Sequence, residues 1–202
     1  YGLTEVAANI FTEFHDDAAH LDTLGKPSPN VDVAVMDASM NPVSVGELGE
    51  ITVRGSIQTP GYWNDPERSQ QVLVNGWFRT GDLAILTPSG HIQMKGRNDD
   101  VINIGGKKVF PQEIEQYLMS HPSVQDCACC SVVNELMGEQ IQAFIVSNDT
   151  KLSTQEWVNI LRESLDSYKI PTQFEYVDSI PYTNTGKKKR EALVNERAHK
   201  KP

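Results

Sequence analysis

Residues 96–110 read GRNDDVINIGGKKVF, and this stretch divides the chain. A glycine and an arginine lead into two aspartates, then a short apolar run, a glycine pair and a lysine pair. That is too polar for a core strand and too apolar for a plain linker. Upstream of it the pattern is one of short strands and turns. Residues 31–37, VDVAVMD, alternate valine with other residues, as a half-buried strand does. NPVSVGELGE carries turn punctuation, and EITVRG reads as a second strand. GWFRTGDLAIL and HIQMKGR read as two strands joined by the turn TPSG. Between them, Pro66 follows Asn64 and Asp65 at the start of a short helix. These signals predict a small β-barrel-like or sandwich-like subdomain over residues 1–98.

Downstream the character changes. Pro111 opens a helix with Ile114, Tyr117 and Leu118 on one face, stopped by His121 and Pro122. VQDCACCSVV and EQIQAFIVS read as strands. Ser153 and Glu156 form a capping box for a helix lined by Trp157, Leu161 and Leu165. FEYVD is a short strand and REALVNERAHK a last helix. Residues 99–202 are therefore expected to form a compact α+β domain, with the boundary near Asp99. The expected fold class for the whole is α+β.

The 202 residues, 39% hydrophobic with a mean hydropathy of −0.40, describe a globular chain with enough apolar residues for a core. No apolar run reaches the roughly 18 residues that span a bilayer, and no secretory leader is visible. Cytoplasm is the expected location. The net charge is −9, but residues 181–202 hold seven of the 18 basic residues against only Glu191 and Glu196. The body is thus more acidic than the total suggests, which argues against nucleic acid as the main partner. Cys127, Cys129 and Cys130 lack zinc-ribbon spacing. Alternation puts the first two on one strand face and Cys130 on the other, as buried reduced thiols.

Three short stretches carry candidate chemistry. In YGLTE, Tyr1 offers a ring for stacking, and Thr4 and Glu5 offer oxygens to a hard cation such as Mg²⁺. On composition alone the bland reading leads, that the stretch is a boundary with nothing attached. In GWFRTGD, Asp82 follows a Thr-Gly turn. It is either a solvated turn carboxylate or an acceptor for two vicinal hydroxyls. YTNTGKKKR is superficially like a phosphate loop, but Pro181 stands where that motif needs glycine. Its lysines are solvated, or one of them is delivered into a site as a point charge.

In order, YGLTE, GELGEITVRG, GYWNDPE, GWFRTGDLA, GRNDDVINIGGKKVFPQEIE and NTGKKKREAL resemble the adenylate-forming enzymes. That superfamily contains acyl-CoA synthetases, adenylation domains of nonribosomal peptide synthetases, and luciferases. The resemblance covers essentially the whole chain. It implies a two-step reaction: a carboxylate attacks the α-phosphate of ATP, and a thiol then displaces AMP. Two anions must meet in the first step, so cations and donors have to offset their repulsion. By motif match, Tyr1 is similar to the residue that stacks on adenine. Thr4 lies by the phosphates, and Glu5 resembles the Mg²⁺ ligand. Asp82 resembles the ribose acceptor and Arg97 a second ribose or phosphate contact. Lys187 looks like the lysine that bridges substrate carboxylate and phosphate oxygens, leaving Lys188, Lys189 and Arg190 as solvated residues.

The family's small C-terminal domain rotates between the two steps, and Asp99 matches its hinge. Gly105 and Gly106 match the segment beside the thiol channel, where a missing Cβ allows close approach. Lys108 occupies a position suited to the CoA phosphates. The family's phosphate loop and most of its acyl pocket lie upstream of YGLTE. The chain therefore looks like the C-terminal part of an enzyme, inactive alone. INIGGKKVFPQEIE is closer to CoA ligases than to peptide synthetases, which more often carry a basic residue at the place of Asn103. An adenylation domain that loads a carrier protein is the second expectation, and a non-catalytic nucleotide-binding module the third. The acid itself is open, although VAANIF after YGLTE is small and apolar and leans towards an apolar acid.

Overall fold

The structure, a computed structural model, describes residues 1–12, 22–29, 31–134, 138–148, 150–184 and 186–198. The end of the expected last helix, His199 and Lys200, lies outside the described residues. The chain is mixed α/β and divides into two compact units, Tyr1–Asp99 and Asp100–Pro202. Among the described residues no helix is long and apolar enough to cross a membrane.

The first unit opens with two short ribbons. β1 (Gly2–Leu3) pairs with β2 (Ala8–Asn9) across a 3₁₀ turn at Thr4–Val6, and β3 (Phe11–Thr12) pairs with β4 (Lys26–Pro27). An antiparallel sheet follows from β5 (Val31–Met36) and β6 (Leu48–Gly55). Helix α1 (Pro66–Val72) then starts where the sequence predicts, with the Asp65 side chain accepting the Arg68 amide at 3.0 Å. β7 (Leu73–Val74), β8 (Trp77–Leu86) and β9 (Ile92–Arg97) complete the sheet. β8 lies beside β6 along one edge. Its other edge is shared, with β7 at the start and β9 at the end. Val35, Ile51, Val53, Phe78 and Ala84 project into the core, joined by Val6, Ile10 and Phe11 from the opening ribbons. Thr52, on the other face of β6, is also fully buried and satisfies its hydroxyl on the Ala34 carbonyl at 3.0 Å.

Two irregularities in this sheet place candidate site residues. Between the pairs Glu50–Leu83 and Thr52–Arg79, β8 places Thr80, Gly81 and Asp82 opposite Ile51 alone. Between Leu83–Gly96 and Ala84–Met94, β9 carries Lys95 as an extra residue. Bulges of this kind re-aim side chains and recur beside functional sites. Gly81 takes the left-handed φ of +74° that the first one requires.

The second unit begins with the hairpin β10 (Ile102–Ile104) and β11 (Lys107–Val109). Gly105 and Gly106 form its two-residue turn, with φ of +55° and +82°. Positive φ at both centres is the type I′ turn, which suits the strand twist and selects glycine. A Cβ at either would meet no protein atom within 4 Å. Within the chain, then, backbone conformation and not crowding calls for glycine there. α2 (Pro111–Met119), β12 (Val124–Asn134), β13 (Gly138–Ser147), α3 (Thr154–Arg162), β14 (Gln173–Tyr176) and α4 (Arg190–Ala198) follow. The sheet order is β12-β13-β14, the first pair antiparallel and the second parallel.

β13 alternates cleanly. Ile141, Ala143 and Ile145 face α2 and α3, through Ile114, Leu118, Trp157 and Leu161. Phe144 faces the opposite layer with Ile180 and Leu193 of α4. The predicted capping box at Ser153 and Glu156 is present in both directions. α3 ends at Arg162, and Leu165 reaches the core from beyond it, its amide bonded to the Leu161 carbonyl at 2.8 Å. Tyr117 corrects an expectation: it is 39% exposed, and Glu115 takes the buried flank instead. At about 100° per residue, Pro111, Ile114, Glu115 and Leu118 share one arc, with Tyr117 outside it. A carboxylate holds that place because cations meet it there, as described below.

The cysteines follow the predicted alternation, Cys127 and Cys129 with one core and Cys130 with the other. All three are free and buried. Burial pushes the Cys127 and Cys130 thiols up to about 12, and that of Cys129 well above its ordinary value. The thiolate is the nucleophile. Native protein at pH 8 should therefore resist alkylation by iodoacetamide at all three, and take up three equivalents once unfolded, as counted by mass spectrometry. Rapid native labelling would mean that the strand opens.

Candidate functional site

The two bulges bring Asp82 and Arg97 together as an in-register pair across β8 and β9. The Arg97 guanidinium donates to Asp82 Oδ1 at 3.1 Å and to the Thr80 carbonyl at 3.2 Å. The Tyr1 hydroxyl donates to Asp82 Oδ2. Asp82 is only 2% exposed. Burial first, and the Asp82 bond second, push the Tyr1 phenol far above its ordinary range, so it stays a donor. A carboxylate has about four lone-pair sites. Tyr1 and Arg97 engage one each, which leaves acceptor capacity for a pair of hydroxyls.

The bulge is held from beneath. Glu50 accepts the Gly81 amide on Oε1 at 2.8 Å and the Arg79 guanidinium on Oε2 at 2.6 Å. The Thr80 hydroxyl donates to the Ile51 carbonyl at 2.8 Å and accepts the Asp82 amide at 3.1 Å. Arg97 also lies against Gly81: a Cβ there would come within 3.0 Å of its Nη2. Glycine at 81 thus serves both the turn and the approach of the guanidinium. Sequence reasoning passed over Glu50 and Thr80, although both sit inside quoted motifs, GELGE and RTGD.

Thr4 and Glu5 sit in the 3₁₀ turn, Thr4 exposed and Glu5 half-buried. The Glu5 carbonyl accepts the Thr59 amide at 2.7 Å, and its Oε1 accepts the Tyr62 hydroxyl at 3.0 Å. Tyr62 lines a cleft formed by residues 60–66 with Ser69, Gln70 and Leu73. Among the described residues no three His, Cys, Asp or Glu side chains gather to hold a metal. Mg²⁺ characteristically takes one or two carboxylates and completes its shell with water and phosphate. A single carboxylate such as Glu5, with one oxygen engaged by a phenol, fits that role. Val6, Ile10 and Phe11 of VAANIF pack into the core, which accounts for the apolar character of those three.

In the second unit, Lys187 is exposed at the end of a tight hairpin. The Thr183 amide donates to the Lys187 carbonyl at 2.7 Å, and the Lys187 amide to the Thr183 hydroxyl at 3.0 Å. The expectation that its neighbours are solvated is corrected for two of the three. Lys188 Nζ donates to Glu115 Oε2 at 2.8 Å and to the Cys127 carbonyl at 2.5 Å. Arg190 donates to Glu115 Oε1 at 2.7 Å and to the Cys129 carbonyl at 3.1 Å. Only Lys189 is exposed as expected. Asp99 is exposed, in a 3₁₀ turn at Asn98–Asp100. Lys108 is exposed and faces the same way as its cross-strand partner Asn103.

Residues 1–63 match the model of AMP-binding enzymes, and residues 113–187 that of the AMP-binding enzyme C-terminal domain. The chain belongs to this adenylate-forming family. It is 36% identical over 196 residues to a long-chain-fatty-acid–CoA ligase of Escherichia coli O157:H7, covering 97% of this chain and 35% of the ligase. It is 38% identical over 197 residues to triostin synthetase I of Streptomyces triostinicus, covering 96% of this chain and 37% of that protein. Among solved structures it superimposes on o-succinylbenzoate CoA synthetase of Bacillus subtilis, in complex with its acyl-adenylate intermediate. That match has a TM-score of 0.90 at 29% identity, over 96% of this chain and 40% of the synthetase. The chain spans about a third of the length of the curated relatives it matches.

Proposed function

We propose that the chain is the C-terminal part of an AMP-forming acyl-CoA synthetase, which activates a carboxylic acid with ATP and transfers it to CoA. Residues 1–98 are the barrel-like end of its large AMP-binding domain. Residues 99–202 are the mobile C-terminal domain, with Asp99 as the hinge. The observation that carries the reading is the bulge-borne pair Asp82–Arg97 with Tyr1 over it. Asp82 accepts the two ribose hydroxyls of ATP or AMP once the Tyr1 phenol yields, and the Tyr1 ring then stacks on adenine. Arg97 stays beside them as the second ribose or phosphate contact.

Glu5 would hold Mg²⁺ and Thr4 would approach the phosphates. When bound, the ion supplies charge that offsets the negative phosphates. Lys187 supplies a further positive charge, bridging substrate carboxylate and α-phosphate in the first step. Its exposure at the end of a hydrogen-bonded hairpin suits a residue delivered into a site. Gly105, Gly106 and Lys108 serve the second step, the glycines beside the pantetheine path and Lys108 towards the CoA phosphates. The relative named as a fatty-acid ligase supports an acyl substrate and CoA. The second reading is a carrier protein as thiol acceptor in place of CoA.

The test uses the full-length protein with ATP, Mg²⁺ and a panel of carboxylic acids. Acid-dependent release of pyrophosphate and AMP, followed by thioester formation with free CoA, is expected. Thioester on holo-carrier protein alone would favour the second reading. Residues 1–202 by themselves should release no pyrophosphate, and robust turnover by them would overturn the proposal that the phosphate loop lies outside these residues.

A further inference from the structure

Glu115 is an anion in an unusual place. It sits on the buried arc of α2, its side chain 8% exposed, and its side-chain bonds to Cys129, Lys188 and Arg190 all leave the helix. Oε1 accepts the Cys129 amide at 2.8 Å and the Arg190 guanidinium at 2.7 Å, while Oε2 accepts Lys188 at 2.8 Å. Arg190 continues to Asp100, with 3.7 Å between Nη1 and Oδ2, and Gln112 of α2 donates to the same oxygen at 3.3 Å. A buried carboxylate with this many partners is costly to desolvate, so its contacts must be well made to persist.

What it holds is the hairpin of residues 181–189. In that hairpin Tyr182 bridges Lys188, and the Lys189 amide reaches the Pro181 carbonyl at 2.8 Å. Extended chain alternates its side chains. With Lys188 drawn inward onto Glu115, Lys187 and Lys189 point outward. Tyr182 adds a second fastening, its hydroxyl donating to Asp126 Oδ2 at 2.8 Å.

We propose that Glu115 is the positioning residue for Lys187, fixing through Lys188 and Arg190 the hairpin that presents it and tying that hairpin through Arg190 to Asp100. The inference rests on the adenylation role assigned to Lys187 above. Glu115 touches no substrate. It acts by setting where the Lys187 backbone lies and which way its side chain leaves, and it has no part in the thiol-transfer step.

The test compares the two half-reactions in the full-length protein. Glu115→Gln keeps the shape and one acceptor but loses the charge that gathers both cations. Adenylation, read as acid-dependent pyrophosphate release, should fall about 30-fold in kcat, within the roughly 10²-fold that a displacement of about 1 Å can cost. KM for ATP and the thioester step from supplied acyl-adenylate should each stay within about twofold. Lys188→Met removes one anchor and leaves Glu115 paired with Arg190, and should give the same split if Glu115→Gln does not fold. Equal losses in both half-reactions would reduce Glu115 to a purely structural role, and unchanged adenylation in a folded variant would also overturn the proposal. A parent protein that releases no pyrophosphate overturns the functional reading itself, and this inference with it.

Discussion

Replacing Lys187 with alanine in the full-length protein should lower the adenylation rate by about 10³-fold. The thioester step from supplied acyl-adenylate should stay within about twofold. Removing one preorganised stabiliser of developing charge costs about 10²–10³-fold in well-studied sites. Lys187 would face two anions at once, the acid and the α-phosphate, which places it at the upper end. The second step has no such encounter, because AMP leaves as the thiol arrives. Pyrophosphate release and thioester formation, measured separately, check both halves. Lys187→Ala should also leave folding intact, since the side chain is exposed and only its backbone makes the hairpin bonds. Equal loss in both steps would remove Lys187 from its assigned role.

Asp82→Asn should raise the KM for ATP by about 10²-fold with a smaller effect on kcat. A hydrogen bond to a charged group contributes about 1.5–3 kcal/mol, and the carboxylate would make two to the ribose. The amide keeps the shape but offers one acceptor atom in place of two, and loses the charge opposite Arg97. The Arg97 side chain is 34% exposed, so water screens the charge left behind, and binding should suffer more than stability. Calorimetric titration with AMP and a melting curve separate the two effects. An unchanged ATP KM would mean that the ribose contacts lie elsewhere.

The sequence made some of this plain and hid the rest, for reasons of range. Pro66, Pro111 and the Ser153–Glu156 box announce helix starts because capping is settled within four residues. The cysteine alternation was legible because a strand repeats every second residue. The order of motifs pointed to Asp82, Arg97 and Lys187. The bulges at Thr80–Asp82 and at Lys95 were not visible, since each exists only through pairing with another strand. Lys188 and Arg190 read as solvated because their neighbourhood is basic and polar. The anion that buries them is 73 and 75 residues away. A charged residue's environment is decided by its partner in space, and no local window contains that partner.

The hairpin that ends at Lys189 has a consequence for how this gene can change. Lys187, Lys188 and Lys189 are identical letters with different duties, and parity alone assigns them. Losing or gaining one codon before Lys187 would leave the lysine run unbroken, yet hand the outward place to a neighbour and turn the lysine proposed for adenylation into a fastener. Composition would scarcely register the change. The loop must therefore keep its length more strictly than its letters, and drift there should proceed by substitution at outward places other than Lys187 and hardly at all by insertion or deletion.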